Sequence, residues 1–156
     1  DGVIGFSCKM RASIQGGNTD DHRDGFGSFN VLDFATGMVL DIITNGQKVW
    51  VVYERLFMPG VTAPEEAFTE VVNIDYPIKP NDSLKCLVIY DGNSDSTQFF
   101  LDDKLIFTAE NIPVKMKSLQ TGFGFITLLP ITNGRSVSCK GQGGSGAWSG
   151  FTYYKI

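Results

Sequence analysis

Short runs of β-branched and aromatic residues, each bounded by Gly, Asn, Asp or Pro, recur along the whole chain. This spacing is typical of an antiparallel all-β sandwich or barrel, and no segment keeps the 3.6-residue apolar period of an amphipathic helix. The glycine-rich run 141–146 and the proline-bounded segment 59–64 are expected to be loops. The predicted strands are residues 4–13, 29–33, 38–44, 49–57, 67–75, 84–90, 98–101, 104–109, 121–128, 136–139 and 148–154.

The strongest hairpin signal is Asn45-Gly46, which joins two strands rich in β-branched residues. Both residues tolerate the positive φ angles of a type I′ turn, so a two-residue loop would pair Thr44 with Gln47. Alternation along this hairpin separates an apolar face from a mixed one. The apolar face holds Met38, Leu40, Ile42, Val49, Val51 and Tyr53, and the mixed face holds Val39, Asp41, Trp50, Val52 and Glu54. We expect the mixed face to be the concave, ligand-facing side of a jelly roll.

Carboxylates around this hairpin are candidates for general acid and base chemistry. In the predicted register Asp41 and Glu54 lie about 13 Å apart, too far for the carboxylate pair of a retaining glycosidase. Glu70 interrupts an apolar stripe in its own strand, where burial would raise its pKa unless a cation such as Arg55 pairs with it. Glu54, Asp41 and Glu70 are therefore the predicted catalytic residues if the protein is an enzyme. The alternative for Glu70 is a structural ion pair with Arg55.

Aromatic and cationic side chains supply candidates for ligand binding. The rings of Trp50 and Trp148 could stack on the apolar face of a sugar, or they could belong to the core. The guanidinium of Arg55 suits a carboxylate, sulfate or phosphate group. The alternative for Arg55 is a salt bridge to a nearby glutamate: Glu65, Glu66 or Glu70. The predicted ligand-binding set is Trp50, Asp41, Glu54, Arg55, Tyr53 and Trp148.

The sequence predicts neither a metal site nor a cofactor. The run 91–95 with Asp102 has part of the oxygen spacing of a calcium loop, but the sixth position is Ser96 and no helices flank it. A hairpin turn explains the same residues. His22 is the only histidine, and no nucleotide-binding glycine loop or hydrolase motif is present.

Composition and charge narrow the classes of partner and compartment. The 156 residues hold 13 Lys and Arg against 17 Asp and Glu, for a net charge of −4, without a basic cluster. We therefore expect no nucleic-acid partner and no membrane partner. The length fits one domain over residues 1–156. The first six residues lack the pattern of a signal peptide, and secreted and cytoplasmic locations both stay open.

Three cysteines, far apart in the sequence, do not form a metal-binding or redox motif. We expect Cys8, Cys86 and Cys139 to be buried free thiols. The alternative is one disulfide with one thiol left over, because an odd number of cysteines cannot pair completely.

Several runs together resemble an uncharacterised bacterial family of concanavalin A-like β-sandwich proteins, a domain of unknown function. The resemblance covers about residues 20–150 and rests on the runs 36–42, 53–56, 59–61, 67–69 and 136–143. It implies two curved antiparallel sheets with a concave face, as in legume lectins, laminin G-like modules and laminarinase-type glycoside hydrolases, and it implies no activity. The laminarinase-like relatives carry Glu-x-Asp-x-x-Glu. This chain has Val39, Asp41 and Thr44 at those positions, so retaining hydrolysis is not expected.

Taken together, these features favour a ligand-binding β-sandwich that holds a carbohydrate, or another small polar-apolar molecule, on the concave face. One alternative is an enzyme on the same face, of isomerase, cyclase or lyase type, that uses a carboxylate as general acid or base. Another is a structural module whose face is filled by its own side chains. The sequence leaves the identity of the ligand and the oligomeric state open.

Overall fold

A computed structural model describes residues 2–136 and 140–155, in which the secondary structure is almost entirely β. The only helical elements in these two ranges are the 3₁₀ turns His22–Asp24 and Pro64–Glu66. None of the helices in the described part of the chain has the length and apolar character needed to cross a membrane. The strands are β1 Val3–Gln15, β2 Phe26–Asp33, β3 Met38–Thr44, β4 Val49–Arg55, β5 Phe68–Ile74, β6 Leu84–Asp91, β7 Ser96–Leu101, β8 Lys104–Ala109, β9 Gln120–Ile126, β10 Ile131–Thr132, β11 Arg135–Ser136 and β12 Gly143–Lys155.

Two five-stranded antiparallel sheets form the molecule. Sheet I has the strand order β12-β1-β6-β7-β8, and sheet II has the order β5-β4-β3-β2-β9. Strands β10 and β11 form a separate two-stranded ribbon. The predicted all-β, two-sheet antiparallel sandwich is thereby confirmed.

The core lies between the facing sides of the two sheets. Sheet II contributes Phe29, Leu40 and Val51, and sheet I contributes Met10 and Phe99; all five side chains are fully buried. Each such side chain stabilises the fold by about 1.5–3 kcal/mol relative to exposure. The apolar face predicted for the β3–β4 hairpin is the face that packs here.

Strands β3 and β8 begin and end where the sequence predicts, and β12 differs most. It starts at Gly143, so the predicted loop at 141–146 is wrong over most of its length. The reason is packing: a side chain at Gly144 would overlap the ring of Phe125, and one at Gly146 would overlap the ring of Trp148. These glycines therefore serve close approach within a strand. The prediction for residues 137–139 lies outside the described residues.

The β3–β4 turn is one position further along the chain than predicted. Asn45 pairs with Lys48, with N to O at 3.3 Å, so Gly46 and Gln47 occupy the two central positions. The Asn45 side-chain oxygen accepts from the backbone N–H groups of Gln47 and Lys48, both at 3.0 Å, which holds Asn45 outside the loop. The predicted Thr44–Gln47 pair is wrong, and Thr44 instead lies opposite Val49.

Cys8 and Cys86 lie directly opposite each other on β1 and β6. Both are buried in the core as free thiols. Cys139 lies outside the described residues.

Candidate functional site

The outer face of sheet II, which points away from sheet I, carries the two predicted carboxylates. Asp41 lies opposite Val52, and Glu54 lies opposite Val39, so the two acids are diagonal neighbours on adjacent strands. Such neighbours have Cβ atoms about 7–8 Å apart or less. The separation of about 13 Å expected from the sequence is therefore wrong. The shift of the turn moves the register by two residues, which shortens the distance and leaves both faces unchanged.

Asp41 is an acid held in an environment that disfavours its charge. Asp41 is only 8% exposed, although it lies on the outer face of sheet II. Burial raises its pKa well above the usual range, and the negative charge of Glu54 adds to the effect. With its amide nitrogen turned toward the carboxylate, Asn30 donates to the two oxygens at 2.9 and 3.1 Å. A neutral amide satisfies the carboxylate geometrically without supplying a compensating charge.

Burial also raises the pKa of the Glu54 carboxyl group. The hydroxyl of Thr69 on β5 donates to Glu54 Oε2 at 2.9 Å and opposes the shift. Within the described parts of the chain, neither Glu54 nor Asp41 forms a salt bridge. The outer face therefore presents two neighbouring carboxyl groups that both resist ionisation.

Trp50 lies on the predicted face, but its ring is part of a packed cluster. Phe26, Ile43 and Val52 surround it, and the ring of His22 lies 5.8 Å away between centroids. Trp50 is only 5% exposed. The expectation that this ring offers a stacking surface is wrong for the structure as it stands, because neighbouring side chains already cover it.

The other predicted residues of the β4–β5 region lie on the inner side of the strands. Tyr53 packs against aromatic rings of the core edge. Arg55 pairs with Glu66 at 3.2 Å and donates from Nε to the Thr36 carbonyl at 3.1 Å, so the salt-bridge alternative is confirmed with Glu66 as partner. Glu70 is opposite Tyr53 on the edge strand and is exposed, so its expected burial is wrong. None of Tyr53, Arg55 and Glu70 joins Asp41.

Trp148 connects the two sheets and is absent from the outer face. Its indole N–H donates to the Ser28 carbonyl at 3.0 Å, from β12 in sheet I to β2 in sheet II. Its ring lies 6.3 Å from that of Phe123. Trp148 packs against the core, as the core alternative predicts, and it does not lie beside Asp41.

A cleft that the sequence did not reveal lies at the other edge of sheet II. It opens between β9, an edge strand of sheet II, and β12, an edge strand of sheet I. Its volume is about 960 Å³. This is within the range of small-molecule binding sites in proteins, about 300–1,000 Å³. The apolar part of its lining consists of Val3, Ile4, Phe6, Tyr90, Met116 and Leu119.

Aromatic and polar side chains complete the lining of this cleft. Phe151 and Tyr153 on β12 are 42% and 67% exposed, although they lie on the side of the strand that faces the cleft. Gln120 and Thr121 on β9 line the opposite wall. The only signal in the sequence is the spacing of two residues between Phe151 and Tyr153, which puts both rings on one side of a strand. That spacing does not tell whether the facing sheet covers them.

Comparison with known proteins places the chain in a family and supports the fold. Residues 1–154 match the model of a family of unknown function, DUF6081. The chain belongs to this family. The uncharacterised family expected from the sequence is thus confirmed at the level of unknown function. A search of curated proteins gives no significant match.

Solved structures with the same fold have sequences very different from this DUF6081 chain. Carbohydrate-binding module CBM66 from Bacillus subtilis has a TM-score of 0.54 at 13% identity, over 98% of this chain and 75% of that one. Botulinum neurotoxin type C, whose cell entry depends on interaction with two ganglioside molecules, has a TM-score of 0.57 at 13% identity. That match covers 98% of this chain and 32% of the toxin chain. At this identity the likeness shows the fold alone.

Proposed function

We propose that this chain is a concanavalin A-like, lectin-like β-sandwich module that binds a glycan in the cleft between β9 and β12. The observation that carries the proposal is the pair of exposed rings, Phe151 and Tyr153, set across from Gln120 and Thr121. Sugar rings present C–H faces that stack on aromatic side chains, while their hydroxyl groups need hydrogen-bonding partners at the edges. The cleft offers both kinds of surface.

The fold and the shape of the site add support. A carbohydrate-binding module and a toxin with ganglioside ligands have sandwiches of this type. Most ligand sites are concave and largely apolar with a few polar groups, and the cleft has this make-up. The outer face of sheet II, where the sequence placed the ligand, offers no comparable exposed ring, because Trp50 is covered.

Binding of the purified chain to a glycan array tests this proposal, with Tyr153→Ala as the diagnostic variant. We expect wild type to bind at least one glycan, and Tyr153→Ala to bind it up to about tenfold more weakly, since an aromatic contact is worth about 0.5–1.5 kcal/mol. Tyr154→Ala is the matched control, because the adjacent side chain points to the opposite side of β12. Equal loss in both variants, or no binding of any glycan by wild type, would contradict the proposal.

A second candidate function rests on the paired carboxyl groups of the outer face. Because burial raises the pKa values of both Asp41 and Glu54, one group can keep its proton while the other is ionised. Such a pair can act as general acid and general base in an isomerase, cyclase or lyase reaction. This candidate function needs only Asp41 and Glu54. It does not need the two outer carboxylates of the laminarinase pattern, which this chain lacks.

Mass spectrometry of polysaccharides incubated with the protein tests the enzymatic candidate. If it is correct, Glu54→Gln abolishes formation of rearranged, cyclised or unsaturated products and leaves glycan binding intact. Glu70→Gln, which changes an exposed glutamate on the inner side of β5, is the control and should retain activity. No new product from any polymer that wild type binds would reject this function.

A further inference from the structure

Lysine residues from two distant parts of the chain line the cleft. Lys115 and Lys117 come from the segment between β8 and β9, and Lys155 comes from the end of β12. No carboxylate is among the described residues that line the cleft. The chain as a whole has the opposite balance, with 17 acidic and 13 basic residues. The cleft is therefore a basic site in an acidic protein.

The ammonium groups of Lys117 and Lys155 have no salt-bridge partner among residues 2–136 and 140–155. The buried carboxylate of Asp33 contacts this segment and accepts hydrogen bonds from its backbone. Its Oδ2 accepts from the N–H groups of Lys117 at 2.6 Å and of Ser118 at 3.3 Å. Asp33 thus anchors the segment, and Lys117 is one of the residues that line the cleft.

We infer that the cleft selects acidic glycans, meaning oligosaccharides that carry carboxylate or sulfate groups. The inference rests on the proposed glycan-binding function and adds the charge class of the ligand. A glycan with only hydroxyl groups would leave the ammonium groups of Lys117 and Lys155 without a counter-charge. A glycan with anionic groups would place them beside these lysines while its sugar rings contact Phe151 and Tyr153.

The chemistry of lysine fits this class of ligand. An ammonium group is a point charge with three donors and no fixed plane, so it accepts carboxylate and sulfate oxygens in many orientations. Apolar walls beside the charges, here Phe6 and Leu119, strengthen the field inside a cleft relative to an open surface. Two or more lysines lining one cavity of about 960 Å³ suit an oligosaccharide with repeated anionic groups.

Calorimetric titration with three oligosaccharides of equal length, one neutral, one containing uronic acids and one sulfated, tests the inference. We expect at least one acidic oligosaccharide to bind about tenfold or more tightly than the neutral one at low ionic strength. This preference should shrink as salt is added, because ions screen partly exposed charges. The uronate and sulfate arms decide which anionic group the cleft prefers.

The double variant Lys117→Gln/Lys155→Gln removes two charges and keeps the side chains long and polar. We expect it to bind the acidic oligosaccharide about tenfold more weakly and the neutral one unchanged. Lys104→Gln is the matched control, because Lys104 is an exposed lysine on β8, at the far edge of sheet I. Equal thermal unfolding temperatures for the three proteins exclude a folding effect.

The outcomes separate this inference from the function on which it rests. Equal affinity for neutral and acidic oligosaccharides, with loss of binding in Tyr153→Ala, overturns the charge selectivity and keeps the glycan site. Acidic binding that is unaffected by the double lysine substitution also overturns it, because the charges would then act elsewhere. No binding of any of the three, together with a blank glycan array, removes the proposed function itself.

Discussion

Asp41 is a single residue whose carboxyl group the fold holds where its negative charge is disfavoured. Burial and the neighbouring Glu54 raise the pKa of its carboxyl group in the folded state. In the unfolded chain the same group ionises near its ordinary value of 3.8. Below that pH both states are protonated, and above it the unfolded state loses its proton first. The free energy of unfolding therefore falls as pH rises from there toward the raised pKa.

Replacing Asp41 with Asn removes this titration and keeps the size of the side chain. We expect Asp41→Asn to match wild type in acid and to be more stable than wild type near neutral pH, because the folded protein no longer resists ionisation of a buried group. Urea denaturation between about pH 4 and pH 8 measures the difference. Parallel profiles for wild type and Asp41→Asn would refute the burial argument.

The position of the β3–β4 turn depends on a contact between Gly46 and strand β1. Gly46 has φ +88°, and a side chain there would overlap the Ala12 carbonyl of β1. Gly46 therefore meets two requirements together: a positive φ and the close approach of another strand. This double requirement fixes Gly46 at the first central position of the turn, and the register of the hairpin follows from it.

Gly46→Ala tests the two requirements against Gly60→Ala. Gly60 has φ +81°, and a Cβ added there would meet nothing within 4 Å, so its substitution reports backbone strain alone. We expect Gly60→Ala to lower the free energy of unfolding by about 1 kcal/mol and Gly46→Ala by more than about 2 kcal/mol. Chemical denaturation of both variants gives the comparison. Equal losses would mean that the approach of β1 does not constrain the turn.

At the scale of the whole molecule, Trp148 links the two sheets beside the proposed glycan site. Its ring packs near Phe123 of sheet II, and its N–H donates to the Ser28 carbonyl across the sandwich. This contact holds β12 against sheet II near the place where the cleft opens between β12 and β9. The position of Trp148 therefore affects both the stability of the sandwich and the spacing of the cleft walls.

Trp148→Phe keeps an aromatic ring and removes the hydrogen bond between the sheets. Because the Ser28 carbonyl would lose the indole N–H as a donor, we expect a loss of about 0.5–1.5 kcal/mol in the free energy of unfolding. Tyr154→Phe, a change of an exposed ring on the same strand, should stay within about 0.5 kcal/mol of wild type. Guanidinium denaturation followed by circular dichroism checks both values. A neutral Trp148→Phe would show that the bond adds nothing to the joining of the sheets.

Local sequence patterns predicted most of the strands and the two faces of the β3–β4 hairpin correctly. Alternation with a period of two is a local property, so the apolar face of β3 and β4 and the shared face of Asp41 and Glu54 could be read from neighbouring residues. A register error of two residues leaves that alternation intact, which is why the faces are correct although the predicted turn is wrong. The distance between the two acids, by contrast, depends directly on the register.

Which side chains each face contacts depends on how the whole chain packs. Local patterns place Trp50 and Asp41 together, but only packing shows that Phe26 and His22 cover the tryptophan ring. Glu70 lies among apolar neighbours in its strand, yet β5 is the edge of sheet II and leaves it exposed. The cleft of the proposed glycan site lies between β9 and β12, in different sheets. Its aromatic rings and lysines line one cleft because segments far apart in the sequence come together there, and such long-range contacts are a property of the whole fold.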